Sequence, residues 1–443
     1  MDPGLSGTDK GRELDRAIWR LAGPAFLTLA AEPLYLLVDT AVVGRIGSDA
    51  LASLAVASTI LLTATGVLVF LTFGTASSVA RLRGAGRDLD ASEQSLQGLW
   101  VGAGCGVLVT AGLAVLGVPL IDWLSPTDAV ADGARTYLFI SLVGIPAVCI
   151  TMAGTGALRG HLDARTPLVV TVAANVVNLA IEVPLVLGLG WGLAGSAAGT
   201  VLAQWGAAAV HVVVVGRRHG RGVRRRPVAS TIGAHLRVGR DLFVRTVALR
   251  AAFVSFTALA SRRGAAELAA YQVALQWWMF LTFLLDGLEA AAQSLVGVAV
   301  GRSDWVDVRR TSRRILVWTA GCGAVLGVVT LVGRVGIAGL FTDDAAVEVL
   351  VVSSLVWVGL AQPLNGLASS LDGILVGAGD QRFLAAAMVA SLGVLVVVGV
   401  LVERGGTGLG GLWFTLVVFI GSRVALLGAR FRSDGWQRTR SLP

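Results

Sequence analysis

Apolar residues run in about twelve stretches of membrane-crossing length, at approximately 17–43, 51–73, 95–121, 133–157, 166–187, 191–215, 241–261, 267–296, 313–334, 345–376, 382–402 and 408–429, with short polar stretches between them. A helix needs about 20 mostly apolar residues to cross about 30 Å of hydrocarbon, so the pattern predicts an all-α membrane protein of twelve transmembrane helices. Composition agrees, with 55% of residues hydrophobic and only 14% charged and a mean hydropathy of +0.76.

Charge placement orients the chain. Loops after even-numbered stretches hold Arg81, Arg83 and Arg87, then Arg159 and Arg165, the basic run at 217–226, Arg302 with Arg309, Arg310, Arg313 and Arg314, and Arg382. Lys10, Arg12 and Arg16 precede the first stretch, and Arg430, Arg432, Arg438 and Arg440 follow the last. Loops after odd-numbered stretches are poorer in basic residues, Arg262 and Arg263 apart, and hold Asp49, Asp128, Asp132, Asp343, Asp344 and Glu348. Both termini are therefore expected in the cytoplasm of a multi-pass protein of the cell membrane. The net charge of +8 sits in loops rather than on amphipathic faces or among stacking aromatics, which argues for orientation and against nucleic-acid binding. Cys105, Cys149 and Cys322 lie inside apolar stretches without CxxC spacing, so neither a disulfide framework nor a metal site is expected. The polar residues 1–16 and the long first apolar stretch do not read as a cleavable signal.

The basic run divides the chain nearly in half, and the halves repeat. Pro146 and Pro363, Gly47 and Gly264, Gly160 and Gly377, Asp163 and Asp380, and Arg165 and Arg382 each differ by 217 positions. A duplicated unit of six spans keeps one orientation in both copies, giving two pseudo-symmetric six-helix lobes with a cleft between them. The expected division is 1–216 for the N-terminal lobe, 217–240 for a basic cytoplasmic linker and 241–443 for the C-terminal lobe.

Acids inside the spans are the candidate chemistry, because a carboxylate in hydrocarbon costs roughly 3 kcal/mol on insertion scales. Glu32, Tyr35 and Asp39 stand at i, i+3 and i+7 on one face of the first span, with Pro33 between them able to kink the helix. Asn175, Asn178 and Glu182 repeat that spacing in the fifth span. Counted from the loop glycines at about 1.5 Å per residue, Asp39, Glu182 and Thr200 lie at similar depth and can share one pocket. The interiors of the first six spans hold no lysine or arginine. Burial without a counter-charge favours the protonated form of a carboxyl, which suits a proton carrier. The C-terminal half has Asp286 and Glu289 with Gln293 beside them, and Asp372. Depth-matching pairs Glu289 with Arg250 and Asp372 with Arg423, as structural ion pairs or as part of a substrate cavity.

These stretches carry a family likeness. GPA at 23–25, LVDTAVVG at 37–44, NLAIEVP at 178–184, GWGLAGSAAGT at 190–200, RDLFVRT at 240–246, LDGLE at 285–289 and SLDGILVG at 370–377 together resemble a multidrug and toxic compound extrusion (MATE) transporter of the DinF-like branch. The resemblance implies a V-shaped pair of lobes and efflux of organic compounds by antiport against protons or sodium. It implies coupling roles for Asp39, Tyr35, Asn178, Glu182 and Thr200, and a bending proline at Pro24. Glu182 stands where many members of this branch have Asp. The expected partners are a small organic substrate, cationic or amphipathic, and the lipid bilayer, with the chain acting as a monomer. No cofactor beyond the coupling ion is expected.

Two other readings compete. A lipid-linked precursor flippase of the wider superfamily would be expected to have a strongly cationic central cavity, which these N-terminal spans lack. An intramembrane enzyme would need a nucleophile and base or a metal set, but His161, His211, His219 and His235 are scattered near loops, and no HExxH or GxSxG occurs. No Walker A sequence is present to bind ATP.

Overall fold

The computed structural model describes residues 7–438 other than 221 and 343, and within them leaves aside the side chains of 7–10, 32–34, 37, 230, 234, 434 and 438. The chain is helical nearly throughout. In order come α1 (Gly7–Gly44), α2 (Ser48–Gly66), α3 (Phe70–Gly84), α4 (Asp88–Leu124), α5 (Asp128–Leu142), α6 (Ile145–Gly160) and α7 (Arg165–Val183). Then follow α8 (Gly192–His219), α9 (Ala229–Ser261), α10 (Ala265–Gly301), α11 (Trp305–Phe341), α12 (Ala345–Ala378), α13 (Gln381–Arg404) and α14 (Gly408–Arg432). Among the described residues, ten helical stretches are long and apolar enough to cross a membrane, or eleven if α5 and α6, bent by 49°, form one span. With α1, twelve helical stretches stand where twelve apolar runs were predicted.

Local chemistry sets the breaks. Gly144 and Pro146 stand at the bend between α5 and α6, where proline withholds a backbone donor. Its repeat partner Pro363 lies inside the unbroken α12. Gly47 and Gly264, matched in the repeat, precede α2 and α10 at φ of 147° and 122°, a region that only glycine enters without strain. Asp304 caps α11 by accepting from Asp307 N at 2.9 Å, and Asp344 caps α12 by accepting from Ala346 N at 2.8 Å.

The chain forms two compact units. One is Leu27–Gly239; the other joins the described residues of Met1–Phe26 to those of Arg240–Ser441. Inside the first, α6 packs on α3, α4 and α8, and α7 on α8; inside the second, α12 packs on α10, α11 and α14, and α13 on α14. The same crossings recur at the same repeat positions. A Cβ on Gly106 would meet the Cα of Pro146, and one on Gly323 the Cα of Pro363. Gly156 lies against the Thr72 carbonyl and Gly160 against that of Ala76; 217 positions later, Gly373 lies against the Glu289 carbonyl and Gly377 against that of Gln293. In lipid, helices associate by close packing and not by expelling water, so glycine at a crossing decides how near two backbones come. The second unit adds a large apolar core around Phe256, Trp278, Trp413 and Phe419, with the rings of Tyr271 and Trp413 5.8 Å apart.

Gly106→Ala should therefore lower stability by roughly 1–3 kcal/mol, since the backbone at Pro146 must move. Gly104→Ala on the same helix, where a new Cβ meets nothing within 4 Å, should be neutral or mildly stabilising. Thermal unfolding in detergent checks this, and equal shifts for the two variants would refute it.

Candidate functional site

Within the unit Leu27–Gly239, α1, α7 and α8 bring a polar cluster together. Tyr35 and Asp39 are one turn apart on α1, and the Tyr35 hydroxyl donates to Asp39 Oδ1 at 3.5 Å. Asn178 Nδ2 donates to Tyr35 Oη at 2.7 Å and to Thr200 Oγ1 at 3.1 Å, and Tyr35 Oη lies 3.2 Å from Thr200 Oγ1. Ser196 Oγ donates to Asp39 Oδ1 at 3.1 Å. Tyr137 of α5 is buried beside Ser196 and Thr200.

Glu182 completes the cluster. It is fully buried, with the Asp39 carboxyl and Ser196 among the groups acting on it. Both of its carboxyl oxygens, and Asn178 Oδ1, are buried without a hydrogen-bond partner among the described residues. Small residues on α8 make this burial possible, because a Cβ on Gly199 would come within 3.3 Å of the Glu182 backbone. The Gly195–Gly199 spacing lets α7 approach, and Ser196 and Thr200, each one residue further on, face the acids. Just past Glu182 the helix widens into a π turn over Pro184–Gly188.

A second cluster lies within the other unit. Asp372 of α12 accepts from Arg245 of α9 at 2.6 Å and from Arg423 of α14. Glu289 of α10 lies 3.8 Å from Arg245, and Asp286 accepts from Ser369 at 3.3 Å. Arg245, Glu289, Asp372 and Arg423 are all buried.

The MatE family profile matches the chain twice, over residues 24–183 and 243–401. The chain belongs to the MatE family. Both matches fall on the repeat read from the sequence, so the duplicated unit is the family's own. DETOXIFICATION 44, a chloroplastic protein of Arabidopsis thaliana, is 31% identical over all of this chain and 86% of its own length. DNA damage-inducible protein F of Escherichia coli is 28% identical over 94% of this chain and 92% of its own. A MOP superfamily transporter from Pyrococcus furiosus has the same fold, with a TM-score of 0.87 at 20% identity over 96% of this chain and 97% of that one. MATE proteins are membrane transporters of toxic compounds, so this chain is a transporter and not an enzyme.

In this MATE protein the predicted N-terminal residues meet, with limits. Tyr35, Asp39, Asn178, Glu182 and Thr200 come together as their helical spacing required. Asn175 donates to the Ala31 carbonyl of α1 at 3.2 Å and, among the described residues, makes no hydrogen bond to the cluster. The side chains of Glu32 and Pro33 lie outside the described residues, while the backbone of α1 stays helical through both Pro24 and Pro33. Ser196 and Tyr137 were missed. Ser196 could have been found in the GWGLAGSAAGT run, one residue after a packing glycine; Tyr137 left no signal.

Among the C-terminal residues the Asp372–Arg423 pair is present, but the Glu289–Arg250 pair is not. Arg250 is exposed, and Arg245 takes its place. Five residues turn a helix by about 140° beyond one full turn, so depth-matching by rise alone chose the wrong face. Gln293 is buried on α10, with its backbone under Gly377. One histidine also differs from expectation, since His211 is buried inside α8 against Thr155 at 3.3 Å rather than near a loop.

Arg245→Gln strands buried carboxylates and should cost about 3–5 kcal/mol, with Arg245→Gln/Asp372→Asn milder than the single change. Arg250→Gln should stay within about 0.5 kcal/mol. Melting curves of the purified variants test the contrast, and equal losses at 245 and 250 would reject the pairing.

Proposed function

We propose that this MATE protein is a secondary active antiporter that expels small organic compounds, cationic or amphipathic, in exchange for protons by alternating access of its two lobes. In this reading it works as a monomer in the cell membrane with both termini cytoplasmic. Asp39 and Glu182 carry the coupling proton. Tyr35, Asn178 and Thr200 hold Asp39 in place, Asn175 and Glu32 are further coupling candidates, and the C-terminal ion pairs serve as scaffold. The relatives support the substrate class by name, among them a probable multidrug resistance protein NorM of Xanthomonas axonopodis, 26% identical over 95% of this chain and 94% of its own length.

One observation carries the choice of proton. Two carboxyls are buried together, and among the described residues Glu182 has no hydrogen-bond partner on either oxygen. Ionising both would cost several kcal/mol per ion without a neighbouring cation, and a shared proton removes most of that cost. Sodium is the second reading, because Asn178 Oδ1 also has no partner among the described residues and a cation could draw on it with Glu182, Asp39 and Thr200. In this reading the hinge is Pro24, which lies two residues before α1 passes from one compact unit to the other, with Pro33 a second soft point.

In proteoliposomes, efflux of a cationic dye should follow an imposed pH gradient in sodium-free buffer. Asp39→Asn should abolish it at normal expression and fold, since a neutral amide carries no exchangeable charge. Transport that requires sodium and ignores the pH gradient would replace the proton reading with a sodium cage, and full activity of well-folded Asp39→Asn would remove Asp39 from the coupling role.

A further inference from the structure

An apolar groove of about 500 Å³ lies in the unit Leu27–Gly239, between α4, α6 and α8. Leu96, Leu99, Ala103, Ile150, Val212 and Val213 form its walls. Val212 and Val213 are 44% and 46% exposed, so this surface is available to something outside the unit. One end is different in kind, for there the lining changes to Trp100, Arg217 and Arg225. Arg217 stands in the last turn of α8, five residues and about 7.5 Å of helical rise beyond Val212.

The basic end is held in place. Trp100 Nε1 donates to the Arg225 carbonyl at 2.9 Å, Gln97 Nε2 donates to the Arg226 carbonyl at 2.9 Å, and Val228 N donates to Gln97 Oε1 at 2.9 Å. These bonds strap the connection between α8 and α9 onto α4 and fix the backbone of Arg225 beside the groove. Neighbouring Arg218 is occupied by Asp163 at 2.9 Å, whereas among the described residues Arg217 and Arg225 have no carboxylate partner. Two exposed guanidiniums without counter-charges, a tryptophan and an apolar trough running away from them match one kind of molecule. They fit an anion joined to a hydrocarbon chain.

We propose that this groove is a headgroup-selective site for an anionic phospholipid, whose phosphate lies between Arg217 and Arg225 and whose acyl chain fills the trough past Trp100. A merely annular lipid would occupy the apolar walls without regard to headgroup, so selectivity is the distinguishing property. The site stands apart from the acids of the transport reading and does not rest on it.

The full chain, reconstituted in vesicles of mixed phosphatidylglycerol and phosphatidylcholine with the acyl chains of one lipid brominated, tests this by quenching of tryptophan fluorescence. The Trp100 contribution is the difference between the native protein and Trp100→Phe. At equal mole fraction, brominated phosphatidylglycerol should be preferred there on the order of ten-fold, the scale set by two basic residues at an anionic surface. Arg217→Gln with Arg225→Gln should erase the preference, Arg217→Lys with Arg225→Lys should keep most of it, and Arg310→Gln in the other unit should leave it intact. Equal quenching by the two lipids, no quenching of Trp100 by either, or a preference that survives loss of both arginines would overturn the proposal.

Discussion

Burying an ion is costly enough to organise both units, because the effective penalty is several kcal/mol per charge even after relaxation. The unit that contains α9–α14 meets it with opposite charge, placing Arg245 and Arg423 on Asp372 and Arg245 within 3.8 Å of Glu289. The unit Leu27–Gly239 meets it with neutral dipoles, since Asp39 is held by the hydroxyls of Tyr35 and Ser196. The repeat makes the contrast direct. Glu289 and Asp372 fall 217 positions after Thr72 and Thr155. Thr72 donates to the Met152 carbonyl at 3.0 Å, and Thr155 lies 3.3 Å from His211 Nε2. The same crossings thus carry ion pairs in one copy and neutral hydrogen bonds in the other. The contrast is what the proposed function draws on, with the salt-bridged copy read as scaffold and the copy held by neutral groups read as the coupling site.

Backbone proximity makes these sites possible. Gly373 brings α12 against the carbonyl and side chain of Glu289, just as Gly156 brings α6 against Thr72. A larger residue at either position would open the crossing, and at Gly373 water entering it would lower the cost of the buried charge and weaken the hydrogen bonds around it. Gly199 acts in the same way on Glu182. Packing and electrostatics are therefore one constraint here, since the small residues that bind the helices also set how dry the acids are.

Much of this was legible in the chain. Hydrophobic runs gave the helices, the constant offset gave the repeat, and spacing of i, i+3 and i+7 gave the faces that join Tyr35, Asp39, Asn178 and Glu182. Depth along a helix was legible too, because rise per residue is fixed. Azimuth between different helices was not, and that is why Arg250 was chosen over Arg245: Arg250, about 7.5 Å further along α9, matches Glu289 in depth, but only packing decides which side of α9 meets α10 and α12. Tyr137 was invisible for a related reason. It has no acid or amide at helical spacing on its own helix, and only the packing of α5 on α8 brings it to Ser196 and Thr200.

The cluster around Asp39 is built from groups whose roles can reverse without a side chain leaving its place. A hydroxyl both donates and accepts, and its hydrogen turns freely about the C–O bond. When Asp39 is ionised, Tyr35 and Ser196 can both point their protons at Oδ1. When Asp39 is protonated, the Tyr35 hydroxyl can turn instead to Thr200 Oγ1, 3.2 Å away, where either oxygen can be the donor. Asn178 Nδ2, which only donates, steadies both of those oxygens at 2.7 and 3.1 Å throughout. An arginine in place of these hydroxyls would favour one charge state by its fixed positive charge. Hydroxyls carry no fixed charge, so the cluster holds Asp39 in place without a cation, which is what the proposed coupling role asks of it.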